Sequence, residues 1–295
     1  MKETILITAA TGNIGSELTG LLATHPNVGE VQIATRNPES QKAQLLHRFN
    51  PHTVKPVHFD IEDKSTITEA LKDVTKICLI TPLSDKMVDF QQMVVDEAKK
   101  QGIHYIVKIS VDAASPNAQE GPGAAHWAGE EMIRKSRIPP TMLRPTIFMQ
   151  HFLIVPGLYE KGDDTFYLPT GDGKIAFVDC RDIAYAMSEL LLAPEKPEKL
   201  ENDFFFLTGP TAVTGNEIVE ELSNLTGKSF TWNKEETAFD KHSEKTGSPA
   251  IVKEFYKAGA AGYLEKVETK DFEKITGKMP NSFARFAWDN RYYFV

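Results

Sequence analysis

The segment Thr8-Ala9-Ala10-Thr11-Gly12-Asn13-Ile14-Gly15 constrains this chain more than any other stretch. It follows the apolar run Ile5-Leu6-Ile7 and leads into an amphipathic stretch from Ile14, so it joins a strand to a helix. In that context a glycine loop has a specific use. Gly12 lets backbone approach a pyrophosphate closely, and the unpaired N–H groups from Thr11 through Asn13 and Ile14 attract an anion at the helix N-terminus. Gly15 lets the helix lie tightly on the strand. Ala9 stands where the usual dinucleotide fingerprint has its first glycine.

The alternation of strand and helix continues. Thr4–Ala9, Val31–Thr35, Val54–Phe59, Ile77–Ile80, Tyr105–Ile109 and Thr141–Leu143 read as strands. Between them, Ile14–Ala23, Glu39–Phe49, Ser65–Leu71, Met87–Lys100 and Ala125–Lys135 read as helices. Such a pattern implies an α/β fold of Rossmann type, a doubly wound parallel sheet covered on both faces. After Arg144-Pro145 the rhythm changes. A Gly- and Asp-rich stretch from Lys161 to Gly173 reads as loops around a short strand at Phe166–Leu168. Ile175–Val178 reads as a strand entering a helix capped by Asp182, and Phe204–Leu207 as a last core strand. From Thr214 the chain is mostly helical, and the aromatic end from Phe283 to Phe294 reads as packing. The division expected is a dinucleotide domain of residues 1–150, with 175–208 returning to it. A smaller, mostly helical, substrate-binding part then comprises 151–174 and 209–295.

The second strand ends Ile33-Ala34-Thr35-Arg36-Asn37-Pro38. NAD-specific folds place a carboxylate there for the ribose 2′-OH, whereas a guanidinium suits a 2′-phosphate by charge and fork geometry. Arg36 therefore favours NADP(H) over NAD(H). Asp60-Ile61 follows the third strand, where Asp60 either meets the adenine amino group or caps a loop. Thr81-Pro82 and Ser110 follow the fourth and fifth strands, at the carboxyl ends where open α/β sheets bind ligands. A net charge of −8 argues against an extended nucleic-acid surface. Of the two cysteines, Cys78 lies in an apolar run and reads as a buried thiol, and no metal-ligand spacing is present. No apolar run approaches the ~20 residues of a membrane span and no signal-peptide pattern opens the chain, so a cytoplasmic protein is expected.

The glycine loop, Arg36 and Asp60-Ile61, with the run from His126-Trp127-Ala128-Gly129-Glu130 to Leu143-Arg144-Pro145-Thr146-Ile147-Phe148-Met149, resemble the NmrA-like atypical short-chain dehydrogenase/reductases. Phe177-Val178-Asp179-Cys180-Arg181-Asp182-Ile183-Ala184 and Leu207-Thr208-Gly209-Pro210 extend the resemblance over nearly the whole chain. It implies an NADPH-dependent reductase moving hydride to a small, apolar, aromatic electrophile such as a quinone, azo compound, enone or imine. The alternative it carries is an NADP(H)-sensing regulator without turnover. Short-chain enzymes use Tyr-x-x-x-Lys on the helix before the strand ending in Leu143-Arg144-Pro145; aligned on Ile138-Pro139, Pro122 takes the tyrosine position and His126 the lysine position. Either His126 is the proton donor, or it only positions and water supplies the proton. Trp127, Phe148, His151 and Phe152 would wall the nicotinamide, with some of them simply core.

Overall fold

The computed structural model describes residues 2–160, 162–193, 202–247 and 250–295. Lys161, at the head of the Gly- and Asp-rich stretch, lies outside them. The chain divides into two compact units, the first comprising Met1–Pro145, Arg181–Phe206 and Lys274–Gly277.

In chain order the first unit opens with β1 (Glu3–Ile7), α1 (Asn13–Ala23), β2 (Val28–Thr35), α2 (Gln41–His47), β3 (Val54–His58) and α3 (Lys64–Ala70). There follow β4 (Lys76–Leu79), α4 (Met87–Gln101), β5 (Tyr105–Ile109), α5 (Gly121–Ser136) and β6 (Pro140–Pro145). Next along the chain come α6 (His151–Ile154), β7 (Tyr159–Glu160), β8 (Thr165–Tyr167), α7 (Cys180–Leu192) and β9 (Phe204–Leu207). Among the described residues one sheet has the order β3-β2-β1-β4-β5-β6-β9. The pairs from β3 to β6 are parallel. The order reverses direction between β1 and β4, which is the switch point where a ligand can reach the carboxyl ends of the strands.

Residue choice explains the sheet. Every residue of β4 and β5 is buried, as parallel strands covered on both faces require. Gly15 permits the closest contact of α1 with its own loop: a Cβ there would lie 2.7 Å from the Ala9 carbonyl oxygen and 2.6 Å from Ala10 Cα. α4 ends at Gly102, whose φ of +74° closes the helix in the left-handed conformation. α5 starts at Gly121, earlier than the sequence indicates, with proline in its first turn where no N–H is needed.

The second unit comprises Thr146–Cys180, Leu207–Glu273 and Lys278–Val295. Residues 146–150 and 175–180 thus group with it and not with the dinucleotide domain as expected. The reason is local bonding: Thr146 Oγ1 donates to Ala176 O, Phe148 bridges to Val178, and Gln150 Nε2 donates to Asp179 at 2.8 Å. The expected strand at Ile175–Val178 is not one, because its partners are loop segments around Ile147, Met149 and Val213. Asp182 does not cap the next helix; α7 already starts at Cys180, and Asp182 lies in its first turn. Later elements are α8 (Gly215–Thr226), β10 (Thr231–Asn233), α9 (Glu236–Thr246), α10 (Ala250–Ala260), α11 (Lys270–Thr276), α12 (Phe283–Asp289) and α13 (Arg291–Phe294). A small sheet of order β10-β8-β7 backs an aromatic core, in which Phe152 meets Phe166, Phe177 and Phe283 edge-on at 5.3–5.8 Å.

Candidate cofactor and active site

The carboxyl ends of β1, β2 and β4 carry groups with unspent bonding capacity. α1 has no side-chain cap at Gly12 and no acidic residue in its first turn, so its leading N–H groups and dipole stand uncompensated. Gly12 and Arg36 are exposed, and Thr11 and Asn13 half-buried; Ile14 faces inward at 5% exposure and anchors the turn. Arg36 has no hydrogen-bond or ion-pair partner among the described residues. Thr81 Oγ1, just past β4, is buried without a partner. These are the groups an adenine dinucleotide with a 2′-phosphate needs, and an orphaned buried hydroxyl beside an uncapped helix marks a place built for a polar ligand.

Ala9 adopts φ +48° in the same loop. The glycine absent from the fingerprint is replaced by an alanine that keeps the left-handed turn under strain. Asp60 accepts a bond from the Glu62 N–H at 3.0 Å. Ile61 is half-buried and Pro82 exposed beside these ends.

A polar cluster fills the space between α5 and the ends of β5 and β6. Glu130 is fully buried and accepts from Arg144 Nε at 2.9 Å and Nη2 at 2.6 Å. It also accepts from Arg134 Nη2 at 3.0 Å and from Ser110 Oγ at 2.6 Å. Ser110, 1% exposed, thus gives its hydroxyl hydrogen to Glu130. The half-buried Asp112 carboxyl, just past β5, is pushed up to about 6 by burial.

Beside this cluster sits a residue that sequence reasoning passed over. Lys108, the fourth of the five residues of β5, is fully buried, and its ammonium donates to Ile109 O at 2.8 Å and meets His126 Nδ1 at 3.0 Å. Burial lowers Lys108 to about 7, against the opposing pull of the Glu130 carboxylate. His126 is 4% exposed; burial first, and the Lys108 charge second, hold its pKa far below the ordinary histidine value. Both effects disfavour an imidazolium at His126 near neutral pH. A signal was present: a lysine within a continuous apolar strand of a parallel sheet has no route to water and must find a partner.

The residues expected to wall the substrate belong to different units, Trp127 to the first and Phe148, His151 and Phe152 to the second. Trp127 is half-buried and lies under two cations, Arg134 at 5.1 Å and Arg144 at 5.8 Å from its ring, in a surface hollow shared with Asp203 and Phe204. Phe148 keeps partial exposure and meets His151 edge-on at 5.8 Å. Phe152, 1% exposed, is a core side chain of the second unit and not a wall residue.

A model described as the NmrA-like family matches residues 1–280. The chain is 28% identical over 291 residues to an NAD(P)H azoreductase of Xenophilus azovorans, covering 96% of each. An NADPH-dependent quinone oxidoreductase of Escherichia coli, solved with NADPH, is similar at 26% identity and a TM-score of 0.79, over 95% of this chain and 97% of the other. The Citrobacter sp. triphenylmethane reductase complexed with NADP(H) has the same fold, with a TM-score of 0.80 at 22% identity over 96% of this chain and 98% of that one. With a match of that length behind it, the chain belongs to the NmrA-like family.

Proposed function

We propose that this protein is an NADPH-dependent reductase acting on a small, apolar, aromatic electrophile of quinone, azo, enone or imine type. The observation that carries the reading is an exposed, unpaired Arg36 at the end of β2 together with an uncapped α1 after a glycine loop. Relatives named as azoreductase and quinone oxidoreductase support it. Arg36 binds the 2′-phosphate by charge, and the N–H groups from Thr11 to Ile14 hold the pyrophosphate. Thr81 supplies a hydroxyl to the same ligand. When bound, NADPH supplies the hydride.

His126, held neutral, offers a hydrogen bond and not a proton, so the proton comes from water. Quinones, azo compounds and cationic imines accept hydride without prior protonation, which makes the missing Tyr–Lys pair tolerable. A cytoplasmic location belongs to the same proposal; among the described residues no helix is long and apolar enough to cross a membrane. The test is NADPH consumption, followed by absorbance, with a panel of quinones, azo dyes, enones and imines. Consumption that requires both protein and acceptor supports the reductase. Tight NADPH binding with every acceptor left unreduced assigns the chain to the sensing alternative.

A further inference from the structure

We infer that Lys108 is a positioning residue that fixes His126 as the Nε2–H tautomer, turning this histidine into a dedicated hydrogen-bond donor at the reaction site. The inference rests on the reductase reading only for what that donor meets.

The geometry leaves little choice. An ammonium has hydrogens to give and no lone pair to offer. One of Lys108's hydrogens goes to Ile109 O, and the next lies 3.0 Å from His126 Nδ1, so Nδ1 must accept. A neutral imidazole whose Nδ1 accepts carries its proton on Nε2. Nε2 has no partner among the described residues and is not fully buried. The small exposure that His126 retains therefore reaches this atom, which is the one free to meet a ligand.

Lys108 is held rigidly for this task. In register it lies opposite Leu79 of β4 and Met142 of β6, both apolar, and the charge that β6 carries, Arg144, is paired with Glu130. α5 provides the one carboxylate that acts on it, Glu130, and that carboxylate is itself bound by Arg144, Arg134 and Ser110. Asp112 lies beyond the strand end and Gln91 of α4, whose amide bonds Ala125 O, is uncharged. The pair thus forms a unit: a buried cation that keeps the imidazole neutral and chooses which nitrogen carries hydrogen. Below neutrality the tautomer is fixed. As Lys108 loses its proton near pH 7, its lone pair can accept in turn and the Nδ1–H form becomes accessible.

The experiment is long-range proton–nitrogen NMR on the full chain labelled at histidine, with His126 assigned by loss of its signals in His126→Gln. In the parent, on the acid side of neutrality, Nδ1 should be the unprotonated nitrogen and Nε2 the protonated one, the preference weakening as pH rises. Lys108→Met should give mixed tautomers and an imidazole that protonates at higher pH than in the parent. Lys108→Arg, which keeps donors and has no lone pair to offer or proton to lose in this range, should retain the Nε2–H form with no pH dependence, and it serves if the methionine variant does not fold. With a competent acceptor, Lys108→Met should lose roughly ten- to a hundred-fold in kcat/KM, the size of a lost bond to a charged group. A parent-like tautomer and titration in Lys108→Met overturns the inference, whatever the activity. The predicted tautomers with no acceptor reduced leave the positioning role intact and remove the reductase reading.

Discussion

Arg36 stands exposed and unpaired where β2 ends, so its removal should cost cofactor and little stability. Arg36→Ala should weaken NADPH roughly ten- to a hundred-fold and leave NADH nearly unchanged, as paired fluorescence titrations would read. Equal losses for both cofactors would take the 2′-phosphate away from Arg36. Ala9 sits at φ +48°, a conformation that costs a side chain about 1 kcal/mol, so Ala9→Gly should raise stability by about that amount in denaturant unfolding. Lys108 yields a pH dependence with a definite sign. Its folded value of about 7 lies below the unfolded one, so above pH 7 the unfolded chain binds the extra proton. Stability relative to Lys108→Met should therefore climb as pH rises above about 7 toward the ordinary lysine range, and a flat difference would mean that the amine is not desolvated.

At the scale of elements, the closest approach is that of α1 to its own loop. Gly15→Ala would set a methyl 2.7 Å from the Ala9 carbonyl oxygen and 2.8 Å from that of Ala10, neither of which can turn aside. The helix would have to lift, at a cost of about 1–3 kcal/mol and with weakened binding of both dinucleotides. Unfolding and titration of the same variant would check both. Elements governed by local chemistry were legible: the fully buried β4 and β5, apolar but for one lysine each, and the amphipathic α4 fall within a residue or two of where periodicity puts them. The helix expected from Ala125 begins instead at Gly121, with Pro122 in its first turn, because proline at a helix start loses no bond. Ile175–Val178 has the apolar run of a strand but lacks strand partners, and no property of the run itself shows that.

For the whole molecule, what was legible in the site divides along the same line. The glycine loop and Arg36 are local features, each complete within a few residues of chain, so the sequence alone singles them out. The Lys108–His126 contact joins residues 18 apart and the Glu130–Arg144 contact residues 14 apart, brought together only when α5 packs across β5 and β6. Glu130 neutralises Arg144 in the interior, and removing one member of such a pair leaves the other buried and unpaired. Glu130→Gln should accordingly cost about 3–5 kcal/mol in unfolding experiments. The central claim, hydride transfer from NADPH, has one direct measurement: incubation with NADPH carrying deuterium in place of both nicotinamide C4 hydrogens and an enone acceptor, with the product read by mass spectrometry. Deuterium bound to carbon in the product, in step with NADPH consumed, is the predicted result. NADPH that binds yet stays unconsumed, or a product reduced without the label, would contradict it.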